Sequence, residues 1–411
     1  MNLKTTFISI LILCTFSVFA QNKAFDDFTN LQDSLMQKAI KERNAKDYLL
    51  SLNKFNEEYS KLSARDKDYF NGNRINAFYN LSCIYSLLND KINAIIYLKK
   101  SIEVGFNDFD HIQHDADLDN IRKEKAFLKV IQAYREINDY LYILKKAGDY
   151  NLTEKQEIPL FTYQSPNNPN LISLRKTFNL DSIAGSASEV SKILNLMHWV
   201  HNLIPHDGMN LNPVVKNALS MIHECRKDSR GLNCRGLATV LNECYLSIGI
   251  KSRIVTCYPK DSLGIDTDCH VINMVYSTEF KKWLWIDPQN NAYVMNDLGE
   301  MLSIEEVRER LINDKPLILF PEANVNNKYP VVKNNYLYNY MAKNLYMLEC
   351  PVSSEFDNET KETGKTNKYI RLIPLEYFKK SLDKEVLAGN DTKNARVFYL
   401  TNNPNIFWQT P

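Results

Sequence analysis

Cys234, His270 and Asp287 are the side chains whose types and order could share a reaction. Cys234 follows Gly231-Leu232-Asn233 and opens a helical pattern of Leu237, Ala238, Leu241, Tyr245 and Ile248. Gly249 then stands where a helix C′ glycine belongs. Cys234 therefore falls in a first helical turn, where unpaired backbone N–H groups and the positive dipole end favour a thiolate. The same N–H groups can donate to an oxyanion. Cys244 lies mid-helix without that advantage. Taken alone, Cys234 reads equally well as core, since free cysteine is among the most buried residue types.

A thiolate nucleophile needs a base, and the base needs an orienting group. In "DCHVINMVYS", His270, Ile272, Met274 and Tyr276 alternate with Cys269, Val271, Asn273 and Val275. In "KKWLWIDPQNN", Trp283, Trp285 and Asp287 share a face. The "STEFKK" between them is too short for a crossover, so the two runs form an antiparallel hairpin. A turn centred between Thr278 and Glu279 sets Asp287 directly across from His270, about 5 Å away. Thr-Glu is not a favoured tight-turn pair, so this register is inferred from spacing. A two-residue slip leaves the pair diagonal on one face; a one-residue slip separates them. In the paired arrangement His270 accepts the thiol proton and Asp287 holds the imidazole tautomer.

The elements that position these residues point the same way. "GLNCRGLATVLNECYLSIGIKSRIV", "DCHVINMVYS" and "WLWIDPQNN" together resemble the transglutaminase-like superfamily, the papain-related Cys-His-Asp fold. Ala238 is the small residue one turn after the cysteine, Gly249-Ile250-Lys251-Ser252-Arg253 leads into a strand, and Trp283-Leu284-Trp285 leads into the aspartate. "LMHWVHNLIPHDG" resembles the helix that precedes the cysteine. The resemblance implies an α+β domain with an antiparallel sheet over residues 171–325, and carries the triad roles to Cys234, His270 and Asp287. It also calls for an oxyanion donor upstream, for which Asn233, Trp199 and His201 are weak candidates beside the Cys234 backbone N–H.

Around this core the chain reads as multidomain. Residues 21–150 are helical, and in "NAFYNLSCIYSLLNDKINAIIYLKKSIEVGF" Phe78, Leu81, Ser82 and Tyr85, then Ala94, Leu98 and Ser101, recur at helical spacing. This large-small register resembles a tetratricopeptide helical hairpin, with Cys83 on its packed face. With one recognisable repeat where arrays need about three, the segment reads as a cap or spacer rather than a concave peptide-binding array. Pro and Asn in "QSPNNPN" mark a linker over 151–170. Residues 326–411 form a mixed C-terminal extension of unassigned role, with strand-like "KYIRLIPLEY" and "RVFYL".

Residues 1–20 read as a signal peptide cleaved after Ala20: Lys4, an apolar run from Phe7 to Val18, and small Val18 and Ala20 before the cut. The expected location is secreted or periplasmic, with no transmembrane segment after cleavage. Basic and acidic residues number 50 and 49, a balance that argues against a nucleic acid as the main partner. Seven cysteines follow the leader, so at least one thiol is unpaired in a monomer. Cys257 and Cys269 are the expected disulfide, and Cys225, Cys257 or Cys269 could instead pair with Cys234. Their spacing does not suit a metal, and neither glycine-rich phosphate motif occurs, so no cofactor is expected. The expected function is thioester-forming attack on a carboxamide or peptide bond of a protein or peptide, with hydrolysis favoured over amine crosslinking. The competing reading is an inactive domain that binds a protein partner together with the helices.

Overall fold

Val255 and Cys257, Ile272 and Met274, and Trp283 and Trp285 occupy alternate positions of three apolar runs, so a strand period puts each set on one face. In the computed structural model these runs are β1 (Ser252–Tyr258), β2 (His270–Ser277) and β3 (Lys282–Ile286). The structure describes residues 28, 30–153, 155, 157–260, 268–375, 384–388 and 394–411, so the expected signal peptide lies outside the described residues. The chain divides into two compact units, the first ending at Asp139 and the second starting at Tyr140.

The first unit is helical, with α1 (Lys46–Ser60), α2 (Ala64–Leu87), α3 (Lys91–Glu103) and α4 (Lys125–Asn138). Ser63 caps α2 by accepting from the Asp66 N–H, and Asp90 caps α3 by accepting from the Asn93 N–H. Small residues let α2 and α3 approach: the buried Ser82 hydroxyl donates to the Ala94 carbonyl at 2.8 Å. Leu81, Ala94 and Leu98 are fully buried, and each large apolar side chain so placed contributes roughly 1.5–3 kcal/mol.

The second unit is α+β. Its seven-stranded sheet adds β4 (Met347–Pro351), β5 (Lys365–Leu372), β6 (Lys384–Ala388) and β7 (Asn394–Thr401), in the order β6-β7-β5-β4-β1-β2-β3. Every neighbouring pair is antiparallel except β5 with β7. Four of the seven strands thus come from beyond residue 325. The stretch expected as a linker also belongs to this unit, because Thr162–Tyr163 pairs with Ser353–Ser354.

Arg253 shows why these segments fold together. Its guanidinium is buried, donates to the Tyr163 hydroxyl and to the carbonyls of Phe407 (2.8 Å) and Gln409 (2.7 Å), and lies over the rings of Phe161 and Trp283. A buried arginine needs all its donors met, and here the partners come from both ends of the unit.

The helices that position the site are α5 (Glu189–Leu203), α6 (Ala218–Asp228), α7 (Cys234–Ser247) and α8 (Ile304–Ile312). Helix α7 packs on the sheet face carrying Ile254, Val271, Val275 and Leu284. The opposite face carries Val255, Ile272, Met274 and Trp285 and packs on α8 and the π-helix Asn334–Met341.

Candidate active site

The start of α7 is fixed by two amides. Asn233 is its N-cap, and the Asn233 Oδ1 accepts from the Gly236 N–H at 3.2 Å. Asn212 completes the lock: its Nδ2 donates to Asn233 Oδ1 at 2.6 Å, and its Oδ1 accepts from the Asn233 N–H at 3.0 Å. Gly236 leaves room for this, since a Cβ there would sit 2.7 Å from the Asn212 Oδ1. The cap puts Cys234 in the first turn of α7, partly exposed and packed on Ala238, Ile254 and Val271.

His270 opens β2 and Asp287 follows the end of β3; both are fully buried. The His270 Nε2 lies 2.7 Å from the Asp287 Oδ2. The register differs from that expected. Met274 faces Trp285 and Asn273 faces Ile286, so Asp287 is diagonal to His270 rather than directly opposite. The cause is a four-residue turn closed by Ser277 and Lys282, with Lys281 in the left-handed region. Glu189 on α5 holds that turn, accepting from the Ser277 and Thr278 hydroxyls and the Glu279 N–H. The two-residue shift keeps both side chains on one face.

Asp287 is saturated with donors. Besides His270, its Oδ2 accepts from the Tyr336 hydroxyl at 2.6 Å and the Asn290 Nδ2 at 2.8 Å, while its Oδ1 accepts from the N–H groups of Gln289 and Asn290. Burial pushes the Asp287 carboxyl up, but His270, Tyr336 and Asn290 outweigh it and hold the group below the ordinary carboxylate range. Burial pulls His270 down, yet Asp287 first and Cys234 next drive it well above the usual imidazole value. Tyr340 packs its ring edge-on to the imidazole at 5.3 Å. Tyr336 and Tyr340 sit on the π-helix, a rare element that is frequent at functional sites. No sequence signal linked that segment to Asp287.

The seven described thiols separate sharply. Burial pushes Cys83, Cys225, Cys244, Cys257, Cys269 and Cys350 above the ordinary thiol value. Burial also acts upward on Cys234, but the neighbouring His270 imidazole, the Val271 N–H and Arg235 reverse it, and the net shift is downward. With Nε2 engaged by Asp287, the buried His270 Nδ1 has no hydrogen-bond partner among the described residues and is the nitrogen left to take the thiol proton.

All seven described cysteines are free, so neither the expected Cys257–Cys269 bridge nor a bridge to Cys234 forms. Cys257 pairs with His270 across β1 and β2, which turns Cys269, one position earlier, to the other face. Among the described residues, no group of three or more His, Cys, Asp or Glu side chains is placed to hold a metal ion.

The weak oxyanion candidates are engaged elsewhere. The Asn233 amide caps α7. Trp199 packs in the helical core against Phe178. His201 is buried, with its ring nitrogens 3.0 Å from the Pro288 carbonyl and the Asn324 Oδ1.

Residues 176–288 match the family model of the transglutaminase-like superfamily. A stretch of 60 residues is 35% identical to a chloroplastic protein of Arabidopsis thaliana, covering 15% of this chain and 18% of that protein. A solved structure of a candidate cysteine protease from Cytophaga hutchinsonii is 18% identical with a TM-score of 0.23, covering 29% of this chain and 42% of that one. The chain thus spans less than half the length of either relative. Cys234, His270 and Asp287 all fall within the family match, and residues 176–288 are a transglutaminase-like domain.

Proposed function

We propose that this protein is a thiol enzyme acting by acyl transfer, with Cys234 as nucleophile, His270 as base and acid, and Asp287 as the group that orients His270. The observation that carries this reading is the contrast among the thiols: Cys234 alone of the seven is pulled down, and the cause is a buried imidazole held by a saturated carboxylate. Burying a His–Asp pair is costly unless its hydrogen bonds are complete, and a protein-binding scaffold has no use for it.

The Cys234 thiolate attacks the carbonyl carbon of a carboxamide or peptide bond, and the imidazolium protonates the departing amine. The resulting thioester passes its acyl group to water or to a second amine. Hydrolysis is preferred on the abundance of water, which makes the enzyme a protease or amidase acting on proteins or peptides.

The sign of the pH dependence follows from the two shifts. The thiol is lowered and the imidazole raised from their ordinary values, and both shifts favour the thiolate–imidazolium pair over the neutral pair. Below the lowered thiol value the nucleophile is protonated; above the raised imidazole value the acid for the leaving amine is lost. Iodoacetamide labelling read by peptide mass spectrometry from about pH 4 to about pH 9 tests this. Cys234 should be alkylated selectively below neutrality. In His270→Ala, burial acts on the thiol without its main opponent, so labelling should move above the ordinary thiol range. That variant leaves Asp287 buried without its partner, at about 3–5 kcal/mol, so His270→Gln is run beside it with thermal melts. Equal labelling of all seven thiols, or a Cys234 that needs alkaline pH in the native protein, would sink the proposal. Adding a primary amine to the acyl-enzyme then separates hydrolysis from crosslinking by whether the amine is incorporated.

A further inference from the structure

We propose that His206 is a catalytic residue of this same site, donating a hydrogen bond to the substrate carbonyl oxygen as Cys234 attacks. This rests on the acyl-transfer reading above.

The backbone fixes where His206 stands. Residues 205–207 run parallel to the stretch leading into Cys234, with His206 bridged to Leu232. The Leu232 N–H donates to the Pro205 carbonyl at 3.1 Å and the Asp207 N–H to the Leu232 carbonyl at 2.8 Å. Gly231 permits this approach, because a Cβ there would lie 2.4 Å from the Pro205 oxygen and 2.8 Å from the Asp207 Cβ. On its other side, the His206 N–H donates to the Asn326 Oδ1 at 2.6 Å and its carbonyl accepts from the Asn326 Nδ2 at 3.1 Å. His206 is therefore clamped between two segments, one of them ending at the nucleophile. Such clamping is what a preorganised donor requires.

The ring is free to act. It is half-buried, and among the described residues none makes a hydrogen bond to it. It lies close enough to His270 and Asp287 for their charges to act on it: burial first and His270 second lower its ionisation, with Asp287 and Asp207 opposing. A neutral imidazole keeps one N–H to donate, and it adds no second positive charge beside the His270 imidazolium. Asn233, Trp199 and His201 are committed to other partners.

In the step assigned to it, the Cys234 sulfur forms a bond to the carbonyl carbon and the carbonyl π pair moves onto oxygen. The His206 N–H and the α7 backbone N–H groups bind that oxyanion. Its collapse restores the carbonyl and expels the leaving group, which takes the proton from His270. His206 exchanges no proton.

The test compares two reactions of one thiol. Alkylation by iodoacetamide needs the thiolate but builds no oxyanion at the carbon attacked, whereas acylation by para-nitrophenyl acetate builds one. His206→Phe keeps a ring of similar size without a donor, and His206→Gln keeps a donor without the ring. In His206→Phe, alkylation of Cys234 should be unchanged while acylation slows by about 10²–10³-fold. His206→Gln should recover part of that loss. Acylation unchanged in His206→Phe, or alkylation and acylation lost together in both variants, would overturn the role. A native protein that fails to alkylate below neutrality fails the enzyme reading itself, a separate outcome visible before any His206 variant is made.

Discussion

Cys234 and Cys244 belong to one helix, and its two regions treat a thiol in opposite ways. Both feel burial, which favours the neutral form. At Cys244, in the middle of α7, nothing opposes it: the backbone N–H groups are spent within the helix, and Glu243 adds a like charge. At Cys234, in the first turn, the His270 imidazole and the Val271 N–H reverse the sign. Burial alone silences a cysteine. A helix start alone supplies donors but no base. The candidate nucleophile arises where a helix start meets a strand start that carries a histidine.

The largest effect that tests this contrast is removal of each sulfur. Cys234→Ala should abolish both alkylation at low pH and acyl transfer. Cys244→Ala should leave both intact and lower stability by about 1 kcal/mol, the scale of one small apolar group removed from a core. Peptide mass spectrometry and a denaturant melt read the two variants. A label that appears on Cys244 in native protein would break the comparison.

A smaller effect is expected where the first region is supported from afar. Tyr336 supplies one of three donors to the Asp287 Oδ2. Tyr336→Phe removes that donor without emptying the space. Asp287 keeps its other donors, so stability should fall by about 0.5–1.5 kcal/mol. The carboxyl should rise toward its ordinary value and His270 should titrate lower, because its partner is less firmly held as an anion. The measurement is the upper limb of the acyl-transfer pH profile, which should move to lower pH. An unmoved limb would mean that Tyr336 fills space without acting on the pair.

These long-range supports mark where sequence reading stops. The start of α7 was legible because the Cys234 helix pattern and the closing Gly249 are local, whereas the Asn233 cap emerged only in the structure. His270 and Asp287 fell on one face because strand alternation is local too. Their register was not legible, since the turn between them is set by Glu189 from a distant helix. Tyr336 and Asn212 carried no signal, because nothing in their neighbourhood announces which carboxylate or amide they will meet. The same holds for the architecture. A tail that reads as an extension supplies four strands to the sheet, because strand pairing is decided by partners far along the chain.

Gly236 offers the finest test, since two opposed terms nearly balance there. It lies in the first turn of α7 beside the Asn212 amide. Replacing a helical glycine by alanine gains about 0.5–1 kcal/mol from reduced freedom of the unfolded chain. The new Cβ would meet the Asn212 Oδ1 at 2.7 Å, and that amide is the movable end of a side chain, so it should swing away. Its hydrogen bonds to Asn233, at 2.6 and 3.0 Å, would go with it, at about 0.5–1.5 kcal/mol each. Loss of two bonds outweighs the gain, so Gly236→Ala should destabilise the protein by about 1 kcal/mol. It should also slow Cys234 alkylation slightly, through a looser helix start. In an Asn212→Ala background those bonds are already absent, and the same substitution should become stabilising. The double-mutant cycle isolates the coupling. A Gly236→Ala that destabilises equally in both backgrounds would show that the glycine answers to something other than the Asn212 lock, and that the first turn of α7 does not owe its geometry to that amide.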